Sequence, residues 1–416
     1  MQQPSDVLLL SLHYPPEKTG NAPYTGALAS AFAELGYQVS ANVSHPHYPE
    51  WTVSEGYGQF TRAEVLDGVS VTRHRHYVPA VPRGLRRLLY ELTFGARLIF
   101  SKVGRPRVVI AVSPALFATA IAMLRVRLTS RQTPIVLWVQ DIYTLGMSET
   151  GEGGETVRKV TRWVEGRTVR AADRVVVIHQ RFADYLIKEF GADPHKIAVI
   201  RNWTHLAEAE KGADAGAARE RLGWPSGVTL AVHTGNMGAK QGLENILDAA
   251  RLADERSTPV HFILVGDGGE RRKLVELASG ISRLSFVPPL DDEQYRLALA
   301  AADVLLVNEK TGVSAMAVPS KLTAYFDASR PVVAATDPDG ITASEVTAAG
   351  AGVVVPAGEP GRLLDAVMAI GADPEGARRY GLNGLRYRQQ VLGQDTAIAQ
   401  YQSLIRSLGS SPSGNE

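Results

Sequence analysis

The chain contains no cysteine. Disulfide frameworks, thiolate metal sites and cysteine nucleophiles are therefore excluded. It also lacks an excess of either charge: 44 Lys and Arg face 43 Asp and Glu, a formal net charge of +1. Binding nucleic acid through bulk electrostatics needs a basic surplus, so nucleic acid is not expected as a partner. No apolar run reaches the roughly 20 residues that span a bilayer. The longest, Val108 to Leu124, is broken by Ser113-Pro114 and reads as a strand, a turn and a helix. The N-terminus has no basic n-region, and its apolar stretch Val7 to Leu12 is too short for a signal-peptide core. A cytoplasmic location is the expectation. Two nucleotide signatures are also missing, G-x-x-x-x-G-K-[ST] and a full G-x-G-x-x-G followed about 20 positions later by an acidic residue. Their absence disfavours a P-loop NTPase and a dinucleotide oxidoreductase.

What is present is alternation. Short β-branched or Leu-rich runs (Asp6–Leu12, Gln38–Val43, Val108–Val112, Ile135–Val139, Arg174–Ile178, Ile197–Ile200) are separated by helix-length stretches such as Thr25–Leu35 and Gly153–Ala171. The pattern then restarts at Thr229–Thr234, His261–Gly266, Leu284–Val287, Val304–Val307, Val332–Ala335 and Gly352–Val355. Alternating strands and helices predict parallel sheets covered on both faces. At 416 residues the chain exceeds a single core. The expectation is an α/β chain of two Rossmann-like doubly wound domains, 1–205 and 206–385, facing each other across a cleft. A final helix within 386–416 is expected to pack back on the first domain, ahead of a frayed tail.

Ligands of open α/β sheets bind at the carboxyl ends of strands. Five segments stand there. His13-Tyr-Pro-Pro-Glu-Lys-Thr-Gly-Asn21 follows the first strand, and Gly20 would let the backbone approach a phosphate. Thr234-Gly-Asn-Met-Gly-Ala-Lys-Gln-Gly242 offers Gly235 and Gly238 for close approach and Lys240 for charge. Val265-Gly-Asp-Gly-Gly269, with Gly266, is a fragment of a phosphate loop or a simple strand cap. Ala317-Val-Pro-Ser-Lys-Leu-Thr-Ala324 starts a helix whose free N–H groups, with Ser320 and Lys321, suit an anion. Trp138-Val-Gln-Asp-Ile-Tyr143 puts Gln140 and Asp141 at a strand end, as cleft residues or as a helix cap. His179 also follows a strand and could face the cleft. His45 and His47 have i, i+2 spacing with no carboxylate beside them in sequence, so no metal site is expected. Asp337-Pro-Asp339 reads as turn chemistry. The segment 83–97 alternates basic and apolar residues at helical spacing. It fits a helix with a solvated basic face or a peripheral contact with an anionic membrane.

Together these residues resemble the family 4 glycosyltransferases, in particular the group of colanic acid and similar exopolysaccharide biosynthesis. Gly235-Asn-Met-Gly-Ala-Lys-Gln-Gly-Leu-Glu-Asn245, Val318-Pro-Ser-Lys-Leu-Thr323, Val139-Gln-Asp141 and Arg201-Asn-Trp203 carry the likeness, which spans His13 to about Pro360. The resemblance implies a GT-B architecture and a retaining, metal-independent hexosyltransferase with a nucleotide-sugar donor as substrate and no cofactor. It implies Gly20 near the donor phosphates, Lys240 on the diphosphate, and Asn236 where many relatives carry Arg. Ser320 and Lys321 would lie at the phosphate-facing helix start, and Glu345 in the region that follows the donor site. His13, Asn21, Gln140 and His179 are the expected acceptor or cleft residues, and Asp141 and Lys240 the expected catalytic ones. A lipid-linked or saccharide acceptor would place the work at the inner face of the membrane. Many relatives carry two glutamates eight positions apart, and here those positions are Met316 and Ala324, with Glu309 out of register. The rival readings are a nucleotide-sugar epimerase or phosphorylase of the same fold, and a catalytically silent partner subunit.

Overall fold

In this computed structural model, which describes residues 5–18, 20–82, 84–150, 154–203, 214–312 and 320–409, the chain divides into two compact units. The first contains residues 1–203 and 394–416, the second 204–393.

The apolar runs of the first unit become strands because they are covered on both faces, as parallel sheets require. The strands of this unit are β1 (Val7–Ser11), β2 (Val39–Ser44), β3 (Thr61–Leu66), β4 (Val69–His74), β5 (Val108–Ser113), β6 (Ile135–Val139), β7 (Arg174–Val177) and β8 (Ile197–Val199). Between them run α1 (Ala22–Glu34), α2 (Leu85–Ile99), α3 (Leu116–Thr129), α4 (Tyr143–Thr150), α5 (Glu155–Ala171) and α6 (Gln180–Phe190). The sheet order is β3-β4-β2-β1-β5-β6-β7-β8, parallel except for β3 against β4. The order reverses at β1, whose neighbours are β2 and β5.

The β3–β4 hairpin is absent from the sequence reading. Strand β3 alternates exposed and half-buried residues rather than forming an apolar run. Its signal was the turn Asp67-Gly68, where both residues have positive φ (49° and 77°). Asp-Gly is a preferred pair for such a two-residue turn.

The second unit holds α7 (Ala215–Leu222), β9 (Thr229–Thr234), α8 (Glu244–Glu255), β10 (Val260–Val265), α9 (Arg271–Leu277), β11 (Leu284–Val287) and α10 (Asp292–Ala301). It continues through β12 (Val304–Asn308), α11 (Ser320–Asp327), β13 (Val332–Thr336), α12 (Ile341–Ala349), β14 (Gly352–Pro356), α13 (Pro360–Ala372) and α14 (Pro374–Gln390). All six strands are parallel, in the order β11-β10-β9-β12-β13-β14. This is a doubly wound sheet that reverses between β9 and β12.

The chain then returns to the first unit as α15 (Gln394–Gly409). Ala397, Ile398, Tyr401 and Ile405 join the same core as Val136 and Trp138, and the Tyr401 ring lies 5.2 Å from that of Trp138. At roughly 1.5–3 kcal/mol per large apolar side chain buried, Ile398, Tyr401 and Ile405 contribute at most about 9 kcal/mol.

Candidate active site

The second sheet reverses between β9 and β12, so a crevice at their carboxyl ends is the expected place for a ligand. There β9 ends in His233-Thr234, and His233 is fully buried. Its Nδ1 lies 3.1 Å from the Leu306 carbonyl oxygen of β12. A carbonyl only accepts, so Nδ1 carries the proton and Nε2 presents a lone pair. That lone pair faces Lys321 Nζ at 3.2 Å. Burial and the neighbouring Lys321 charge hold the His233 imidazole neutral, well below its usual range. Desolvation brings the Lys321 ammonium down to about 8, although the Glu309 charge opposes the shift. Lys321 lies in the first turn of α11, so an ammonium and a helix N-terminus coincide. Glu309 is held by hydroxyl bonds from Thr336 and from Thr342, the latter at 2.6 Å.

The two glycine loops after β9 and β10 lie against one another. A Cβ on Gly266 would stand 2.1 Å from the Gly235 carbonyl oxygen, and φ at Gly266 is +134°. A Cβ on Gly268 would stand 2.5 Å from Asn236 Oδ1. These glycines are thus required by loop-on-loop packing. A Cβ on Gly235 would meet Lys321 Nζ at 3.7 Å, which places the ammonium over that backbone. The Gly238 N–H donates to Gln241 Oε1 at 3.2 Å. Lys240 is exposed on a short 3-10 turn whose carbonyl accepts from the Lys310 N–H at 2.9 Å. Asn308 fixes the rest of the loop: its Nδ2 donates to the carbonyls of Gln241 and Gly242, and its Oδ1 accepts from Asn245. The sequence therefore concentrates Gly235, Gly238, Gly266 and Lys321 at one sheet edge, with Asn236 and Lys240 exposed on the same loop.

In the first unit Asp141 follows β6. The helix-cap alternative for it is corrected by the structure. The first N–H groups of α4, at Tyr143 and Thr144, donate to Glu165 at 2.7 and 3.0 Å instead. Asp141 takes no part in that cap, and desolvation by the surrounding protein pushes its carboxylate up to about 6, with Arg87 pulling the other way. Gln140 is paired internally. It donates to Asn202 Oδ1 at 3.3 Å, and Asn202 Nδ2 donates back at 2.7 Å. Two segments that carried the family resemblance thus meet across the sheet. Trp138, just before the first segment, and Trp203, in the second, are stacked with ring centroids 6.5 Å apart.

His13 stands just past β1. Its Nδ1 lies 2.7 Å from Glu17 Oε2, and His47 is the third member of the cluster. The sequence reading that no carboxylate accompanies His47 is corrected here, since Glu17 is brought to it by the fold. The trio could hold a metal by distance. Glu17 and His47 are, however, already engaged. Glu17 Oε1 accepts the N–H groups of His47 and Tyr48 at 2.8 and 3.0 Å. His47 Nδ1 faces the His45 carbonyl at 2.7 Å and so carries its proton, while Nε2 bonds Tyr90 Oη at 2.7 Å. A protonated Nδ1 is no metal ligand, and the cluster reads as a hydrogen-bonded orienting group.

The remaining expected residues are dispersed. Gly20 has φ +65° and is exposed. Asn21 is the N-cap of α1 without a side-chain cap bond. His179 is 2% exposed and caps α6 through Nδ1, which accepts from the Arg181 N–H at 3.1 Å. Glu345 is 2% exposed within α12 and accepts from Tyr387 Oη at 3.5 Å. Ala324 lies in an apolar core with Leu322, Tyr325 and Phe326. Ser320 opens α11, but its side chain lies outside the described residues, as do Met316 and Arg83. His233 and Glu17 were missed from sequence. The signal for His233 was a lone titratable residue inside an apolar strand.

Comparison with known proteins identifies the family and the fold. The model of a glycosyl transferase 4-like domain matches residues 19–203, and that of glycosyl transferases group 1 matches residues 229–373. The colanic acid biosynthesis glycosyl transferase WcaI of Escherichia coli K12 is 31% identical over 76% of this chain and 80% of its own length. Among solved structures, Anabaena HepE in complex with UDP aligns with a TM-score of 0.69 at 16% identity, covering 97% of this chain and 100% of its own. Sucrose-phosphate synthase of Thermosynechococcus elongatus aligns with a TM-score of 0.67 at 18% identity, covering 97% and 98%. The two parallel α/β sheets with their strand-end glycine loops and lysines, and these matches, show that the chain belongs to the family 4 glycosyltransferases of GT-B fold, and is a hexosyltransferase.

Proposed function

We propose that this enzyme is a retaining, metal-independent glycosyltransferase of cell-surface polysaccharide biosynthesis, moving a hexosyl group from a nucleoside-diphosphate sugar to a lipid-linked or saccharide acceptor. The observation that carries the donor assignment is Lys321, held between His233 and the Gly235 backbone at the point where the second sheet reverses. A desolvated ammonium beside the α11 N-terminus suits a diphosphate without a divalent ion. Lys240 adds a second cation. HepE was solved with UDP and glucose, and starch synthase IV with ADP, which supports a nucleoside diphosphate here. The name of WcaI supports the polysaccharide context.

In this reading the bond from the anomeric carbon to the β-phosphate oxygen breaks, and the acceptor oxygen bonds to the same face. The acceptor proton passes to the departing phosphate oxygen. Lys240, Lys321 and the helix dipole stabilise the charge that grows there. Asp141 orients the acceptor or the transferring sugar. Thermal shifts with UDP, GDP, dTDP, ADP and NAD test the assignment, because a ligand of the native state raises stability with the logarithm of its concentration over Kd. One nucleoside diphosphate should raise Tm. No response would favour the silent-partner reading suggested by Ala324, and a response to NAD alone would overturn the account. Lys240→Ala should cut turnover with little loss of Tm; unchanged kinetics would remove Lys240 from the mechanism.

A peripheral membrane contact is supported by α2. Of the basic face that the sequence alternative places in solvent, Arg86 is exposed. Leu85, Leu89, Leu92 and Ile99 lie outward at helical spacing, and Leu85 is 78% exposed. Arg87 turns inward to Glu91 and Tyr143, whereas Arg97 reaches along the surface to the Phe60 carbonyl and Thr61. Between residues 68 and 140 the one acidic residue is Glu91, and it is buried. An outward apolar stripe in a basic neighbourhood suits an anionic bilayer surface. No helix among the described residues is long and apolar enough to cross a membrane. Flotation with phosphatidylglycerol vesicles should capture the chain, and Leu89→Glu should release it. Equal recovery of both would refute the contact.

A further inference from the structure

Glu17 lies outside the donor machinery, yet it is among the most completely engaged carboxylates of the first unit. Its side chain is 2% exposed. Two backbone N–H groups, from His47 and Tyr48, fix Oε1, which leaves Oε2 for His13 Nδ1 at 2.7 Å. An ionised carboxylate only accepts, so Nδ1 of His13 carries the proton. The other ring nitrogen, Nε2, is then a bare lone pair. Among the described residues it has no hydrogen-bond partner, although the His13 side chain is only 11% exposed.

The ring is held on every side. The His13 carbonyl accepts from Ser11 Oγ at 2.7 Å and from Thr25 Oγ1 at 3.1 Å, which locks the backbone. The imidazole stacks on His47 with centroids 5.3 Å apart, and Tyr48 lies at the same distance. An acceptor atom on a ring fixed this firmly, in a side chain still partly open to solvent, is oriented in advance for a donor that reaches it. It stands two residues past β1, the strand at which the first sheet reverses its order. That is where open α/β sheets bind ligands. Sugar hydroxyls are the donors such an atom would meet.

We propose that Glu17 is a positioning residue that fixes His13 as the Nδ1–H tautomer, so that Nε2 accepts a hydrogen bond from a hydroxyl of the sugar acceptor. The proposal rests on the glycosyltransferase reading above. It requires no proton transfer to His13, only orientation of the hydroxyl.

Two variants separate the parts. His13→Asn keeps a donor at the Nδ1 position for Glu17 but has no counterpart of Nε2. Glu17→Gln turns an amide NH2 toward Nδ1, so the imidazole must accept there and move its proton to Nε2. The tautomer is read first from imidazole 15N–1H correlations of the ligand-free wild type between pH 6.5 and 8. Nδ1–H at His13 is expected; Nε2–H there would overturn the proposal. Glu17→Gln, if folded, should show Nε2–H, and retention of the wild-type tautomer would also overturn it. Transfer is then measured to n-octyl glucoside, galactoside and mannoside, with the donor of whichever nucleoside diphosphate raises Tm. Both variants should raise acceptor KM or lower kcat by about 10- to 100-fold, the scale of losing an orienting partner, with the nucleotide-induced Tm shift unchanged. His13→Asn turning over within twofold of wild type would refute the role of Nε2. A wild type that responds to no nucleotide would instead strike the parent reading, and that measurement is made before either variant.

Discussion

Lys321 offers the sharpest test of the donor site. Its ammonium, desolvated beside neutral His233, is brought from 10.5 to about 8. At 1.36 kcal/mol per pKa unit this corresponds to about 3 kcal/mol against the charged form. A bound diphosphate supplies the missing counter-charge and should restore the cation. Only the protonated form then binds well. With a free-state value of about 8, the protonated fraction falls from about nine-tenths at pH 7 to about one-tenth at pH 9. The Kd of the preferred nucleoside diphosphate should therefore rise about 10-fold over that interval. Calorimetry in two buffers of different ionisation enthalpy should find about half a proton taken up at pH 8. Lys321→Arg keeps its charge throughout, so its affinity should be flat with pH. A wild-type Kd that does not change between pH 7 and 9, with no proton uptake, would refute the reasoning.

Three further outcomes follow from single contacts. His74 Nε2 donates to Asn42 Oδ1 at 2.9 Å while its buried Nδ1 has no partner among the described residues, and desolvation brings it from 6.5 to about 4. A depressed histidine contributes stability above pH 6.5 that is lost as pH falls toward 4, here about 3 kcal/mol at most. Urea unfolding should show His74→Gln losing that much less than wild type between pH 7 and 4; parallel losses would count against it. Gly266→Ala would set a methyl 2.1 Å from the Gly235 carbonyl at φ +134°. It should lower Tm and abolish the nucleotide-induced shift, and a wild-type response would show that the loops do not depend on this packing. Tyr401 is fully buried, and its hydroxyl has no partner among the described residues. Tyr401→Phe should match or exceed wild-type stability by about 1 kcal/mol, whereas Tyr401→Ala should cost about 3–5 kcal/mol in chemical denaturation. A strongly destabilised Tyr401→Phe would mean the hydroxyl is satisfied after all.

The alternation of strands and helices, the two parallel sheets and the strand-end glycine loops were legible in the sequence alone. Each is written in windows of about 5–18 residues as apolar runs, helical periodicity and turn chemistry. What lies beyond such windows was decided by the tertiary structure. Lys321 meets His233 across 88 residues, and Gln140 pairs with Asn202 across 62. Glu17 reaches the backbone of His47 over 30 residues, and Glu165 caps α4 from 22 residues away, which leaves Asp141 free of that task. The outward face of α2 was equally hidden, because periodicity shows that a helix has two faces and only packing chooses which one meets the core. Side chains are brought together by strand order, and strand order is set by how whole sheets bury their surfaces, an outcome no local window contains.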